Sequence, residues 1–329
     1  MNEFSNKYAV AYASNERGVF PLCSSIWSLV ENAAPQTTYD ICVLSDGIEP
    51  ESREKIQQMV AKANKRHTVR FIDVTNTITQ DVAVCDDWPK VAWARVFLAK
   101  LLPEIDRVLY LDIDTLVCDD LTSLFTLDMG DAALGVVLEY ESHEGSHFNE
   151  RLHIPLNCIG YFNSGVLLMN LKAFRKDNLV EHVMNYAGQY KDALKCPDQD
   201  ALNGALCDRL IQLHPRWNWQ DGLTRRIIKA NPNARLWHGN SPKTSIEAAI
   251  WPGILHYQGT HKPWRYNHRI EGPRYEASMR RAGLVEKDAK MPGFNWGDCV
   301  KKFLYTPMYA MTWRRIHQLA KKYGAQKPE

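Results

Sequence analysis

The chain has 329 residues, 45% of them hydrophobic and 24% charged, a composition that predicts a globular protein with a sizeable core and excludes a disordered chain. Its net charge of only +2 argues against a nucleic-acid partner. We find no signal-peptide pattern, no spanning helix and no C-x-x-C pair among the eight cysteines, so a cytosolic protein with mostly reduced thiols is expected.

Strand-like and helical patterns alternate along the first ~110 residues. Apolar runs typical of strands lie at residues 8–13, 40–44, 68–73 and 108–111. Apolar residues at helical spacing predict helices at 22–30, from Pro50 to about 63, and at 91–102. This order predicts an α/β fold with a mainly parallel central sheet flanked by helices, a nucleotide-binding type of half-fold. Ligands of such sheets bind beyond the carboxyl ends of the strands, where Asn15 and Asp112 are expected.

The strict alternation ends after residue 114. Strand-like runs at 133–140 and 165–171 mix with helical patterns, and an acidic turn at 197–200 opens a predicted helix that reaches residue 206. Residues 216–263 are rich in Trp, Pro, Gly and Asn and show no clear element. Neither a dinucleotide-binding G-x-G-x-x-G nor a P-loop is present, so any nucleotide must be held in another way.

Two carboxylates at the end of a buried strand form the first candidate site. Asp112 and Asp114 point the same way on an extended chain and suit a divalent cation. The same D-x-D-x-T pattern is typical of aspartyl-phosphate phosphatases, in which Asp112 would be the nucleophile. A third interpretation is a pair of strand-end acids that accept backbone N–H bonds at a turn.

Three further motifs have a chemical and a structural interpretation each. His256, Gly259 and Lys262 recur every three residues and offer a metal ligand, close backbone approach and a charge for phosphate, or they form an incidental surface loop. Asn163-Ser164-Gly165 would bind a sugar or form a turn. The acids of 197–204 would take part in chemistry or, as the favoured interpretation, only complement the helix dipole.

Together these motifs resemble glycosyltransferase family 8, retaining nucleotide-sugar enzymes that include the bacterial lipopolysaccharide galactosyl- and glucosyltransferases, to which the likeness is strongest. The resemblance covers residues 10–264. It rests on motifs that follow the family's order: Ala13-Ser14-Asn15, Arg95, Asp112-Ile113-Asp114, Asn163-Ser164-Gly165, Asp198-Gln199-Asp200 and His256-x-x-Gly259-x-x-Lys262-Pro263-Trp264.

The resemblance implies a GT-A type fold and a hexosyltransferase that takes galactose or glucose from a UDP-sugar to a saccharide or glycolipid acceptor, such as lipopolysaccharide or another cell-surface glycan. It implies Mn²⁺ or Mg²⁺ as the cofactor. The implied roles are these: Asp112, Asp114 and His256 bind the metal; Gly259 and Lys262 hold the phosphates; Ala13 and Asn15 line the uridine site; Arg95, Asn163, Ser164, Gly165, Asp198 and Gln199 surround the sugar.

Asp198 and Gln199 are the residues assigned to catalysis. Because an amide such as Gln199 is a poor nucleophile, same-face attack with an oxocarbenium-like transition state is favoured. One departure from the family concerns uracil: the tyrosine that the family often places in the first turn is Gly18 here, and Phe20 is the candidate replacement. The alternatives are the phosphatase, disfavoured because the D-x-D follows a fourth strand, and a non-catalytic sugar- or metal-binding protein.

The C-terminal segment is basic and aromatic. Residues 301–329 carry seven basic side chains and one acid, and an apolar stripe at helical spacing comprises Tyr309, Trp313, Ile316, Ala320 and Tyr323. This composition predicts a helix at about 301–323 on an anionic membrane, while the alternative is a helix that packs on its own domain. The predicted organisation is a catalytic domain at 1–264, with a nucleotide half to about 120 and an acceptor part from 121, followed by an extension at 265–329. The predicted location is cytoplasmic, peripheral on the inner face of the cytoplasmic membrane.

Overall fold

The computed structural model describes residues 6–63, 66–77, 90–139, 147–220, 222–224, 240–259, 261–265, 270–285 and 296–328. Its strands are β1 (Asn6–Asn15), β2 (Thr37–Asp46), β3 (Thr68–Asp73), β4 (Arg107–Leu111), β5 (Thr115–Val117), β6 (Leu134–Leu138), β7 (Phe162–Asn170), β8 (Leu210–Gln212), β9 (Trp219–Gln220) and β10 (Ile254–His256). Its α-helices are α1 (Val19–Glu31), α2 (Pro50–Ala63), α3 (Leu98–Leu101), α4 (Thr122–Phe125), α5 (Phe148–Arg151), α6 (Leu171–Lys176), α7 (Leu179–Gln189), α8 (Pro197–Leu206), α9 (Pro242–Ile250), α10 (Gly272–Arg281) and α11 (Trp296–Tyr323).

The first compact unit comprises Met1–Leu22, Ala33–Ile113 and Leu121–Leu213. Within its described residues, one sheet has the strand order β3-β2-β1-β4-β7-β6-β8. Strands β3, β2, β1 and β4 are parallel, β7 is antiparallel to both of its neighbours, and β8 is parallel to β6. The predicted α/β fold with a mainly parallel sheet is therefore confirmed. The continuous apolar run of β4 is buried, as expected for a strand inside a covered sheet.

The second compact unit comprises Cys23–Asn32, Asp114–Asp120 and His214–Glu329. Its described residues form a small sheet in the order β5-β10-β9, in which β10 runs antiparallel to β5 and parallel to β9. No clear element was predicted for residues 216–263, and this expectation was wrong. The strands escaped notice because they are two or three residues long, but α9 has a recognisable start, with Ser241 as N-cap and Pro242 in the first turn.

Two local expectations differ from the structure. The segment predicted as a helix at 91–102 is a 3₁₀ helix over Lys90–Phe97, and only Leu98–Leu101 is α-helical. Every residue from Val91 to Val96 is buried, so no single apolar face selects the α-helical period. Asn163-Ser164-Gly165 lies inside β7 and does not precede it.

The C-terminal helix α11 packs against α9 within the second unit. Three members of the predicted apolar stripe are buried: Tyr309, Ile316 and Ala320. The residues after the helix also contact the second unit. The backbone N–H of Gln326 donates to Glu247 Oε1, and Lys327 Nζ lies 2.8 Å from Asp119 Oδ2. The packing alternative therefore accounts for the stripe. Within the described part of the chain, no helix has the length and apolarity needed to cross a membrane.

Candidate active site

The sheet of the first unit gathers several of the predicted residues at one edge. Parallel β1 and β4 end on the same side, and antiparallel β7 begins where β4 ends, with Leu111 opposite Val166. The backbone N–H of Asp112 donates to Gly165 O at 2.8 Å, which extends this ladder by one bond. The D-x-D aspartate and the Asn-Ser-Gly motif therefore meet, although about fifty residues separate them in the chain.

Asp112 is held by donors from its own sheet and from the 3₁₀ helix. Its Oδ1 accepts hydrogen bonds from Arg95 Nη2 and from Tyr110 Oη, both at 2.9 Å. The Asp112 side chain keeps 26% of its exposure. The carboxylate is thus fixed in orientation while part of it faces solvent, as a ligand residue requires.

Arg95 is the buried cation that links these motifs. Its Nη1 donates to Ser164 O at 2.7 Å and to Ser164 Oγ at 2.9 Å. Its guanidinium lies 4.5 Å from the centre of the Tyr110 ring, a cation–π distance. Burial would lower the pKa of Arg95, but the charge of Asp112 outweighs it and raises the pKa above its usual range. Arg95 therefore stays charged and fixes the relation of β4 to β7.

Asp198, in the first turn of α8, has a carboxylate oxygen that the described protein groups leave without a hydrogen bond. Its Oδ2 lies 3.1 Å from Arg95 Nε, but that N–H points at Ala92 O. Burial raises the pKa of Asp198. A buried acceptor without a donor is costly unless a ligand supplies one, so this position fits a hydroxyl-rich ligand.

Gln199 is fully engaged with the neighbouring strand. Its Oε1 accepts from Ser164 N at 2.9 Å and from Asn163 Nδ2 at 3.2 Å, and its Nε2 donates to Tyr161 Oη at 2.9 Å. These bonds draw electron density from the amide oxygen and hold the side chain in one orientation. The amide oxygen of Gln199 is therefore already engaged and is a poor nucleophile.

Asp200 has the structural role that its place in a helix N-terminus suggested. It is completely buried, pairs with Arg151 at 2.7 Å and accepts from Tyr161 Oη. Its Oδ2 also accepts the backbone N–H groups of Lys195 and Cys196, which precede the helix. The structural interpretation of this turn thus holds for Asp200.

In the second unit, Asp114 lies between the imidazole of His256 and the ammonium of Lys262. Tyr257 N donates to Asp114 O at 2.9 Å and continues the β5–β10 ladder, which explains how the distant His-Gly-Lys motif reaches this aspartate. His256 Nε2 lies 3.1 Å from Asp114 Oδ1, and Lys262 Nζ donates to Asp114 Oδ2. Burial would raise the pKa of Asp114, but His256 and Lys262 outweigh it and hold the pKa well below its usual range.

One ligand atom from each of Asp112, Asp114 and His256 lies within 4.8 Å of the other two. The second ring nitrogen of His256 lies 2.9 Å from Asn218 Oδ1, so a proton on Nδ1 leaves Nε2 as the ligand atom. Two carboxylates and one imidazole are ligand types that suit a divalent metal cation.

The remaining predicted residues lie at the ends of strands. Ala13 and Asn15 lie at the carboxyl end of β1. Gly259 follows β10 with φ +82°, a conformation that favours glycine. At Gly18 a Cβ would lie 2.4 Å from Ser14 Oγ, so a larger residue needs local rearrangement there, and Phe20 is partly exposed.

Sequence reasoning missed the residues that hold these groups in place, namely Tyr110, Arg151, Tyr161 and Asn218. Tyr110 carries a detectable signal, because it precedes Asp112 by two residues and shares its face of the strand. Asn218 lies in a Trp-rich segment without a readable period.

Comparison with known proteins gives consistent results. The sequence profile of glycosyl transferase family 8 matches residues 9–268. General stress protein A of Bacillus subtilis is 29% identical over 246 residues, which cover 73% of this chain and 81% of that protein. Lipopolysaccharide 1,2-glucosyltransferase of Escherichia coli K12 is 28% identical over 257 residues, covering 78% and 72%. Among solved structures, galactosyltransferase LgtC in complex with donor and acceptor sugar analogs has a TM-score of 0.72 at 27% identity, covering 86% of this chain and 98% of that one.

Proposed function

Because the chain belongs to glycosyl transferase family 8, we propose that it is a retaining, metal-dependent hexosyltransferase that uses UDP-galactose or UDP-glucose as donor. Its mixed α/β fold, with the GT-A architecture of the matched galactosyltransferase, agrees with this assignment. The observation that carries the proposal is the set of Asp112, Asp114 and His256, whose ligand atoms suit one divalent cation.

The proposed metal site uses the two aspartates and His256, with Asn218 orienting the imidazole. A bound Mn²⁺ or Mg²⁺ supplies electrostatic stabilisation of the negative charge on the UDP leaving group. Lys262 is proposed to donate to the same diphosphate, with Gly259 allowing close backbone approach.

The proposed sugar site uses the groups at the start of β7 and of α8. The Asp198 oxygen that lacks a hydrogen bond among the described groups is the acceptor for sugar hydroxyls. Arg95, Asn163, Ser164 and Gly165 complete this wall, and the proposed uridine site is formed by Ala13 and Asn15, with Phe20 as the candidate ring for uracil. Gln199 lies among them with its amide oxygen already hydrogen-bonded to Asn163 and Ser164, which supports same-face attack over a covalent glycosyl–amide intermediate.

We propose a saccharide acceptor of the cell-surface glycan class, lipopolysaccharide included. The support is the likeness to an enzyme described as lipopolysaccharide 1,2-glucosyltransferase. The acceptor part of the chain is proposed to lie within residues 121–264, because loops that follow a nucleotide-binding half carry specificity.

We also propose that the chain works at the cytoplasmic face of an anionic membrane. Arg314, Arg315, Lys321 and Lys322 are all exposed on α11. Because Tyr309, Ile316 and Ala320 of the apolar stripe are buried within the protein, the contact would be mainly electrostatic and would fall with salt. Co-sedimentation with anionic and neutral vesicles tests it. Equal binding to both, or no change on replacing the four cations by Gln, would contradict it.

The transferase proposal is tested by following UDP release from a panel of UDP-sugars with Mn²⁺. We expect Asp112→Asn to abolish release. Asp106→Asn is the matched control, because it makes the same change on the residue that precedes β4, where Asp106 is an exposed partner of Arg175. If no UDP-sugar is cleaved and none shifts the Tm with metal, the proposal fails. If a UDP-sugar binds but is not cleaved, with or without acceptor, the non-catalytic alternative is favoured. If the protein hydrolyses phosphomonoesters in the presence of metal, the phosphatase is favoured.

A further inference from the structure

One face of α8 carries three polar or sulfur-bearing side chains at a spacing of four residues: Gln199, Asn203 and Cys207, which directly follows the helix. Residues four apart lie above one another on the same face of a helix. All three face the segment from Cys158 to Ser164, which leads into β7. The stripe therefore joins α8 to the strand that carries the Asn-Ser-Gly motif.

The three contacts follow one another along both segments. Gln199 Oε1 accepts from Ser164 N at 2.9 Å. Asn203 makes a two-way pair with Phe162, accepting from its N–H at 2.8 Å and donating to its carbonyl at 2.9 Å. At the far end, Cys158 Sγ and Cys207 Sγ are 2.6 Å apart. The two thiols thus occupy the third position of a row whose first two positions are hydrogen-bonded.

The thiols are accessible to reagents on one side and packed on the other. Both residues are partly exposed, and both pack against the apolar cluster of Phe148, Leu152, Ile154 and Tyr161. Burial, together with the Cys158 thiol, raises the pKa of Cys207 to about 12. The raised pKa disfavours the Cys207 thiolate, so we assign the first attack on an oxidant to Cys158.

We propose that Cys158 and Cys207 are a redox-responsive pair that forms a reversible disulfide. The oxidant is a small-molecule disulfide such as oxidised glutathione. The Cys158 thiolate attacks one of its sulfurs and releases one glutathione thiolate. Cys207 then loses its proton and attacks Cys158 Sγ in the mixed disulfide, which releases the second. Two protein thiols are oxidised, and one glutathione disulfide is reduced to two thiols.

The bond would close a chain segment whose ends are 49 positions apart. It would link the segment before β7 covalently to the end of α8. The link would restrict the relative motion of Gln199, Asn203 and Tyr161. Loop closure of this length restricts the unfolded chain, so the oxidised protein should be the more stable form. This inference stands on the sulfur geometry and does not require the proposed donor or acceptor.

The test incubates the full chain with oxidised glutathione or with dithiothreitol. We expect the oxidised protein to lose two hydrogen masses, to yield a peptide that links Cys158 to Cys207, and to melt roughly 5 °C higher than the reduced form. Dithiothreitol should reverse all three changes. Cys158→Ser and Cys207→Ser should each abolish the link and the difference in Tm.

Cys196→Ser is the matched control, since Cys196 is also partly exposed and directly precedes α8 at its other end. It should keep the link and the difference in Tm. The Tm of the reduced serine variants shows that they still fold, so loss of the response is not loss of the protein. A link through another cysteine, a product that stops at a glutathione adduct, or an oxidised Tm equal to the reduced one overturns the proposal.

Discussion

Lys262 donates to an oxygen of Asp114, one of the carboxylates that the cation is proposed to use. The ammonium and the proposed metal therefore share one carboxylate, and their like charges oppose each other. When a diphosphate binds, the phosphate oxygens offer Lys262 a new partner, so the lysine opposes metal binding alone and favours metal with nucleotide.

Lys262→Met separates these two effects. We expect the variant to bind Mn²⁺ alone several-fold more tightly and UDP with Mn²⁺ about ten-fold more weakly, because the charge-assisted bond from Lys262 to a phosphate oxygen is lost only in the second case. Titration calorimetry measures both affinities. Lys243→Met, which removes an exposed lysine from α9, is the control and should change neither. Weaker binding of Mn²⁺ alone to Lys262→Met would contradict this opposition between the two charges.

The raised pKa of Asp198 predicts that the stability of the folded protein depends on pH. Burial raises its pKa in the folded protein, whereas the unfolded value is about 3.9. At pH values between the unfolded and the folded pKa, the folded state binds more protons than the unfolded state. Ionisation of Asp198 therefore lowers the stability of the protein as the pH rises through this range, and the loss persists at higher pH.

Asp198→Asn removes the ionisation and keeps the shape, while Asp112 still pairs with Arg95. We expect a Tm roughly 2–4 °C above that of the unsubstituted protein at pH 8, no difference near pH 4, and loss of UDP-sugar cleavage. Melting curves across this range measure the effect. A gain in Tm that is constant with pH would show that ionisation is not its cause.

At the scale of residues, the sequence predicted candidate ligands and missed the residues that hold them in place. Paired carboxylates at a strand end made Asp112 and Asp114 candidates, and the family resemblance added His256 to the set. Tyr161 and Asn218 are ordinary polar residues whose importance comes only from a partner far along the chain. Such pairings depend on the tertiary fold, which no local spacing encodes.

At the scale of elements, α11 tests the competition between packing and membrane contact. Ile316 is fully buried, whereas Met311 on the same helix is 68% exposed. We expect Ile316→Ala to lower the free energy of unfolding by about 2–4 kcal/mol, because it opens a cavity between α11 and its neighbours. Met311→Ala is the control and should stay within about 0.5 kcal/mol. Urea unfolding measures both, and two equal, small changes would mean that α11 does not pack as described.

Elements were predictable where one period dominates. The four parallel strands and the start of α2 at Pro50 follow from local pattern. The 3₁₀ helix over Lys90–Phe97 could not be predicted, because a segment buried on all sides has no amphipathic period. Strand β10 is only three residues long and is a strand because β5 and β9 flank it.

At the scale of the whole molecule, the chain passes between its two compact units five times, at residues 22–23, 32–33, 113–114, 120–121 and 213–214. Helix α1 begins in the first unit and ends in the second. Neither unit is one continuous piece of chain, so a cut at any single residue leaves at least one of them incomplete. The predicted division at residues 120 and 264 describes proposed functional parts and stays a prediction.

This interleaving predicts one cooperative unfolding transition. We expect a single calorimetric peak with a calorimetric to van't Hoff enthalpy ratio near one. The reason is that each unit consists of chain segments joined directly to the other unit, so neither is expected to unfold alone. A fragment that ends at Leu213 should not fold, because it keeps two short segments of the second unit without the remainder. Two separate peaks, or a stable fragment, would contradict this.

The D-x-D segment is synthesised well before the residues that contact Asp114 in the folded protein. Asp114 precedes Lys262 by 148 positions, so at ~5–20 residues per second it leaves the ribosome roughly 7 to 30 s before that partner exists. Until then β5 lacks its neighbour β10. Charged residues that interrupt an apolar stretch oppose strand-to-strand aggregation. We therefore expect Asp112 and Asp114, which stand between the apolar runs of β4 and β5, to limit aggregation during synthesis as well as to serve as the proposed cation ligands.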